Sequence, residues 1–199
     1  MPVTTVFIFC KPNRIGLSKT RLAKDIGPVE AQRVNRFMTM RVMRVMDDTR
    51  WQTALCVAPD HAAEMPDAGW PMNTVCFPQG PGDLGDRLTR AFDLAPLGNV
   101  IFIGTDQPDL SRSDISDAVC SLRHNEAVVG PASDGGFWLL GLRKRVGSKA
   151  PFGNIRWSSS ETLNDLRKNL SERSVLYLEQ RTDVDDGASL AAWKSSRPN

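Results

Sequence analysis

Apolar and polar positions along this chain fall into blocks whose lengths separate strands from helices. An apolar run from Val3 to Cys10 stops at Pro12, and similar short runs stand at Thr53–Ala58, Asn73–Phe77, Val100–Thr105 and Ala127–Gly130. Runs of this length, bounded by Gly or Pro, predict buried strands, the first over Thr4–Cys10. Between them the period lengthens. Val34, Phe37, Met38, Val42, Val45 and Met46 form one stripe across Val29–Asp47, with Arg33, Arg36, Arg44 and Asp47 on or near the other face. That predicts an amphipathic helix opening at Gly27-Pro28, where proline suits a first helical position. A second helix is expected over Leu84–Ala95, and a third near Ser111, whose spacing to Asp114 resembles a capping box. After Gly130 the rhythm changes. Pro131–Gly141 reads as a tight turn feeding a strand, Arg143–Arg156 as a loop, and the serines near Ser158 with Glu161 as another capped helix start. A strand about Ser174–Leu178, an acidic turn at Asp183–Asp186 and a short terminal helix complete the pattern. Strand and helix thus alternate almost to the end, which predicts an α/β layered fold. No repeat or low-complexity linker divides residues 1–199, so a single domain is expected.

Charge and composition narrow the function classes. The chain has 25 basic and 23 acidic residues, a formal net charge of +2, too balanced to suggest a nucleic-acid partner. No apolar run approaches the roughly 20 residues that a membrane span needs. The N-terminus is strand-like without a basic leader, unlike a signal peptide. Cys10, Cys56, Cys76 and Cys120 are far apart with no C-x-x-C pair, which suits free thiols in a reducing compartment. A cytoplasmic location is the expectation.

The candidate chemistry begins where the first strand ends. Lys11, Arg14, Lys19 and Arg21 surround a loop containing Gly16 that runs into a helix around Ser18 or Lys19. A glycine, outward backbone N–H groups and cations together suit a phosphate, though a solvated basic turn has the same composition. The P-loop and the G-x-G-x-x-G fingerprint are both absent. Asp106 follows the apolar strand Val100–Thr105, so its carboxylate is expected at the sheet edge where ligands dock in α/β folds, or else as a turn cap. Asp183 and Asp185 form a second acidic group. Asp106 with Asp183 or Asp185 would make an oxygen-donor site for a hard cation such as Mg²⁺, shared with donor phosphates. Asp185 or Asp186 could instead cap the terminal helix. In the loop Gln79–Arg87, Gly80 and Gly82 would let backbone approach a nucleobase or ribose, and Arg87 would reach a phosphate or pair with Asp83. Asp134-Gly135-Gly136 suits a sharp turn or backbone pressed on a substrate. Trp138 and Trp157 read as stacking platforms or as core anchors. His61 and His124 have no partner motif, so nucleophilic triads find little support.

Taken together, Lys11-Pro12…Gly16…Lys19-Thr20-Arg21-Leu22, Gln79-Gly80…Gly82-Asp83-Leu84-Gly85…Arg87, Gly104…Asp106…Pro108, Gly130-Pro131…Asp134-Gly135-Gly136 and Asp183…Asp185 resemble a bacterial family of GT-A-type transferases, mostly uncharacterised glycosyltransferases. The resemblance spans nearly the whole chain. It implies a three-layer α/β/α fold of nucleotide-diphospho-sugar transferase type, with a mixed, mostly parallel sheet. It also implies a metal-dependent transferase acting from a nucleotide-activated donor onto a small-molecule acceptor, with glycosyl transfer from a nucleoside-diphosphate sugar foremost. Lys11, Gly16, Lys19, Thr20 and Arg21, with Gly80, Gly82, Asp83 and Arg87, would bind the donor. Asp106, Asp183 and Asp185 would hold Mg²⁺ or Mn²⁺, and Lys19, Asp106 and Asp134 would serve catalysis, Asp134 as general base. The N-terminal block is also similar to 2-phospholactate guanylyltransferase, which makes nucleotidyl transfer the alternative. A non-catalytic nucleotide-binding module is the second alternative, and a homodimer is compatible with either.

Overall fold

The computed structural model describes residues 3–64, 70, 71 and 74–196. The strands are β1 (Thr4–Cys10), β2 (Gln52–Val57), β3 (Val75–Pro78), β4 (Gly98–Ile103), β5 (Ala127–Pro131), β6 (Phe137–Lys144) and β7 (Val175–Tyr177). The helices are α1 (Thr20–Ile26), α2 (Pro28–Met46), α3 (Leu84–Leu94), α4 (Arg112–Ser121), α5 (Thr162–Asn169) and α6 (Gly187–Ser195).

The strands form one seven-stranded sheet in the order β3-β2-β1-β4-β6-β5-β7. Neighbours are parallel except β6, which runs antiparallel to both β4 and β5. The sheet is therefore the expected mixed, mostly parallel one. Because β6 reverses the direction twice, β1, β4, β5 and β7 all point the same way. Their carboxyl ends share one edge, and the segments after them carry Lys11, Asp106, Asp134 and the Asp183–Asp186 turn.

Both faces of the sheet are covered, which is why β1 and β4 read as continuous apolar runs and not as alternating ones. Alternate residues still go to opposite sides. Val6, Ile8, Ile101 and Ile103 pack with Val42 and Met46 of α2 and Ile115 and Ala118 of α4. Phe7, Val100 and Phe102 pack with Leu88 and Phe92 of α3 and Leu163 and Leu166 of α5. A smaller cluster joins Leu22 of α1, Met38 of α2 and Leu190 of α6, tying the C-terminal helix to the first loop.

Most element boundaries lie within two residues of the sequence reading. Asn73, the first residue of the expected third strand, lies outside the described residues. The Ser111 cap forms: its hydroxyl accepts from the Asp114 N–H, and the Asp114 carboxylate accepts from the Ser111 N–H at 2.8 Å. The helix expected near Ser158 instead begins at Thr162, without a side-chain cap. Its start is displaced because the Thr162 hydroxyl bonds the carbonyls of Arg156 and Ser159, both at 2.8 Å, holding the serines in turns. One 3₁₀ turn, Asp60–Ala63, had no counterpart in the sequence reading.

Candidate active site

The site is organised around one buried cation. Lys19 stands just before α1 in the left-handed region, φ 53°, which a non-glycine residue rarely occupies. Its side chain is only 2 % exposed. The ammonium lies 2.6 Å from Asp106 Oδ1 and 3.3 Å from Asp185 Oδ1, and it donates to the Val184 carbonyl. The Val184 N–H in turn donates to the Asp106 carbonyl at 3.0 Å. Three distant segments thereby meet: the loop after β1, the turn after β4 and the acidic stretch after β7.

The carboxylates outnumber the cation. Burial, and then the charges of Asp106, Asp185 and Asp134, push the Asp183 carboxyl up to about 7. Burial and Asp106 also raise Asp185, against the lowering effect of Lys19. Such shifts mark carboxylates crowded in one low-dielectric site. Gln107 spans part of the gap, its amide donating to the Thr182 carbonyl and to Asp183 Oδ1, both at 3.4 Å. The acidic segment divides its duties, because Asp186 caps α6 by accepting from the Ser189 N–H at 2.8 Å.

A divalent cation fits this donor set. Asp106 and Asp185 flank a single buried ammonium and both repel the charge on Asp183, and the surplus negative charge is what a hard cation neutralises. Among the described residues no three His, Cys, Asp or Glu side chains converge into a ready-made cage. Mg²⁺ and Mn²⁺ do not require one, since phosphate oxygens and water commonly complete their shells.

Two adjoining clefts open at the sheet edge. One, about 230 Å³, is lined by Phe9, Lys11, Lys19, Gln79, Asp106 and Asp185 among others. The other, about 190 Å³, is apolar, with Phe9, Leu84, Leu88, Phe102 and Phe137 in its walls and Asp106 at its margin. Phe9, Leu84 and Asp106 belong to both.

Not every predicted site residue faces these clefts. Gly16, φ +85°, Thr20 and Arg21 stand exposed on the loop and the first turn of α1, with Arg21 near enough to lower both Asp185 and Asp186. The Gln79–Arg87 loop turns its polar groups inward. Arg87 donates to Gln79 Oε1 at 3.1 Å and to the Gly82 carbonyl at 3.3 Å, and Asp83 caps α3. Arg90 grips the carbonyls of Gln79 and Pro81. A Cβ on Gly80 would meet Arg90 at 2.7 Å, and one on Gly82 would meet Asp86 at 2.1 Å. These glycines therefore make room for the loop's own clamps. Asp134 bonds the Gly136 N–H at 2.9 Å and stands exposed, on the Asp183 side of the site. Trp138 and Trp157 are core anchors: Trp138 is 4 % exposed and donates to the Glu179 carbonyl, while Trp157 packs between Phe137 and Phe152.

Gln79 and Leu84 belong to the Gln79–Arg87 motif but carry no role in the sequence analysis, and Phe9 stands there only as a strand residue. Gln79 is 7 % exposed and donates to the Cys56 carbonyl at 2.9 Å, bracing the ends of adjacent strands. Its signals were its place between an apolar strand and a glycine loop and at the head of the Gln79–Arg87 motif.

A family model described as an uncharacterized protein conserved in bacteria, DUF2064, matches residues 40–159. The chain belongs to this family. Its fold is that of a candidate nucleotide-diphospho-sugar transferase from Desulfovibrio desulfuricans G20, with a TM-score of 0.87 and 26 % identity over 100 % of this chain and 89 % of that one. Rv0371c from Mycobacterium tuberculosis H37Rv is similar at a TM-score of 0.60 and 18 % identity, covering 99 % of this chain and 100 % of that chain. A structure of the same mycobacterial protein is a complex with manganese. CMP:2-keto-3-deoxy-manno-octonic acid synthetase, solved with CTP, shares the fold at a TM-score of 0.58 and 11 % identity, with 97 % of each chain covered. No curated protein matches the chain. No helix among the described residues is long and apolar enough to cross a membrane.

Proposed function

We propose that this protein is a divalent-metal-dependent transferase that moves a glycosyl group from a nucleoside-diphosphate sugar to an acceptor. The observation that carries the reading is the buried Lys19 ammonium, 2.6 Å from Asp106 and 3.3 Å from Asp185, at the shared carboxyl edge of the parallel strands. A diphosphate entering the neighbouring cleft would meet Lys19 and Lys11 on one side and the carboxylates on the other. The manganese complex of the mycobacterial relative and the likeness to a nucleotide-diphospho-sugar transferase support this.

In this reading Asp106, with Asp183 or Asp185, holds Mg²⁺ or Mn²⁺, and the bound cation supplies charge neutralisation to the departing diphosphate. Lys19, locked by its three partners, offsets the mutual repulsion of Asp106 and Asp185 and presents its charge at a fixed place. Because that geometry exists before the donor arrives, little reorganisation is needed as charge builds up on the leaving group. Lys11 and Arg21, both exposed, neutralise the outer phosphate oxygens. Phe9 and the apolar cleft behind it exclude water from one side. Asp134 accepts the acceptor's proton. Its carboxylate is exposed, and its turn is held by the Gly136 N–H.

The test is a thermal-shift series on the full chain with Mn²⁺, comparing nucleoside-diphosphate sugars with nucleoside triphosphates. Metal-dependent stabilisation by one diphosphate sugar above all triphosphates is expected. Preferential stabilisation by a triphosphate would replace glycosyl with nucleotidyl transfer. Asp106→Asn should abolish metal-dependent stabilisation while leaving the melting of the unliganded protein cooperative. Undiminished binding by that variant would sink the metal assignment.

A further inference from the structure

Gly104, between β4 and Asp106, is a glycine that neither backbone nor packing accounts for. Its φ lies outside the left-handed region, and among the described residues a Cβ there would meet nothing nearer than the Asp106 backbone nitrogen, at 4.0 Å. Gly85 and Gly130 differ, since each makes room for an indole: a Cβ would lie 2.4 Å from Trp157 and from Trp138 respectively. Gly104 instead lines the apolar cleft of about 190 Å³, with Phe9, Leu84, Leu88, Phe102 and Phe137. A side chain at 104 would project into open space beside Asp106. The cleft also leaves hydrocarbon uncovered within the site, because Leu84 is 38 % exposed and Phe9 and Phe137 are half-buried. Apolar surface of a ligand would recover that cost.

We propose that this cleft holds the donor's sugar, that Gly104 keeps its place clear, and that the sugar turns a methyl or acyl group, not a hydroxyl, into it. The proposal rests on the transferase reading above and names its substrate class, a nucleoside-diphosphate deoxy or N-acyl sugar. Phe9, Leu84 and Asp106 line both this cleft and the one that holds Lys11 and Lys19, so the two spaces meet at the Asp106 carboxylate. In such a donor the sugar is bonded directly to the diphosphate, whereas a ribose separates the base from it. With the diphosphate beside Lys11 and Lys19, the group next to Asp106 is therefore the sugar. The volume suits a single sugar unit. Phe9, Leu84, Leu88, Phe102 and Phe137 stabilise hydrocarbon. Against a hydroxyl the same side chains displace water and return no hydrogen bond, which is unfavourable.

Calorimetric titration of the full chain with Mn²⁺ tests this, using donors matched in base. The pairs are UDP-N-acetylglucosamine against UDP-glucose, dTDP-6-deoxyglucose against dTDP-glucose, and GDP-D-rhamnose against GDP-mannose. In the pair whose base binds, the deoxy or N-acyl sugar should bind tighter by about tenfold or more. Gly104→Ala should melt with the wild type, since its Cβ enters open space. Gly104→Val should weaken the diphosphate sugar by about tenfold or more and leave the plain nucleoside diphosphate within about twofold. Leu84→Asn changes a position already 38 % exposed and should bring the two sugars of the pair within about threefold. Equal binding within the pair would overturn the proposal, as would wild-type affinity of Gly104→Val for the diphosphate sugar. So would equal weakening of nucleoside diphosphate and diphosphate sugar by Gly104→Val, which would put the base or the diphosphate in the cleft. If no nucleoside diphosphate binds, the transferase reading fails, and saturation-transfer difference NMR with methyl 6-deoxyglucoside and methyl glucoside decides the cleft alone. A preference for the deoxy glycoside that Gly104→Val removes would keep the assignment, and no preference would overturn it.

Discussion

Gly135 sits where the segment after β5 turns against the approach to α5, and replacing it with alanine separates two physical costs. Its φ is +89°, and a Cβ there would lie 2.1 Å from the Ser160 carbonyl oxygen. The Gly135 carbonyl also accepts from the Leu163 N–H at 2.8 Å, so this backbone contact anchors the first turn of α5. Gly147 provides the comparison, with φ +78° and nothing within 4 Å of a built Cβ. Left-handed backbone costs an alanine about 1–2 kcal/mol. The stiffer unfolded chain returns about 0.4–1 kcal/mol. Gly147→Ala should therefore lose no more than about 1.6 kcal/mol. Gly135→Ala adds a backbone collision that only movement of the 158–162 segment can relieve, and overpacking of that kind costs about 1–3 kcal/mol. Its expected loss is about 3 kcal/mol, or roughly 6–12 °C in Tm for a chain of this size. Urea denaturation of both variants beside the wild type measures the difference. Equal losses within about 0.5 kcal/mol would show that the contact is not rigid and would refute the reasoning.

Three further outcomes follow from the same structure. Arg181→Met should cost about 2–3 kcal/mol at pH 7, since it strips the bidentate partner from Asp114, whose side chain is 13 % exposed. Burial alone would raise the Asp114 carboxyl, but its bonds to Arg181 and Ser111 more than offset that and hold it below its ordinary value. A depressed native pKa contributes stability above the unfolded value and loses it as pH falls through the native one. The gap between wild type and Arg181→Met should therefore narrow between about pH 5 and pH 3, and a constant gap in pH-resolved denaturation would contradict the pairing. Cys120 is exposed, whereas Cys56 is buried and its thiol is pushed up to about 12 by burial, so a thiol reagent at pH 8 should label Cys120 and spare Cys56 until the chain unfolds. Labelling of native Cys56 at the rate of Cys120, read by peptide mass mapping, would refute that burial.

Much of the fold was legible because its signals are local. The runs at Val3–Cys10 and Val100–Thr105 carry enough apolar surface to require burial on both faces, and the α2 stripe and the Ser111–Asp114 cap need only a few neighbouring residues to be recognised. The reading missed where one local signal met a competing one a few residues away. The Ser158–Glu161 pattern resembles a cap, yet the Thr162 hydroxyl and the Arg156–Asp165 pair, 2.7 Å apart, move the helix start. Gly80 and Gly82 suggested backbone pressed against a ligand, but the same lack of a Cβ makes room for Arg90 and Asp86 of α3.

By itself, then, the sequence determined which residues carry charge at strand ends, because a carboxylate after an apolar run cannot lie within the core. Asp106 was identifiable on that ground, Lys11 as part of the cationic loop after the first strand, and Asp134 and the Asp183–Asp186 group from a glycine turn and an acidic cluster. Only the tertiary structure decided which of them meet. The two reversals at β6 bring β1, β4, β5 and β7 to one edge, and the close approach of Lys19 to Asp106 and Asp185 across more than 80 and 160 residues follows from that topology. No periodicity encodes such separations. They come from the packing of helices on both faces of a sheet, which sets where each strand must end.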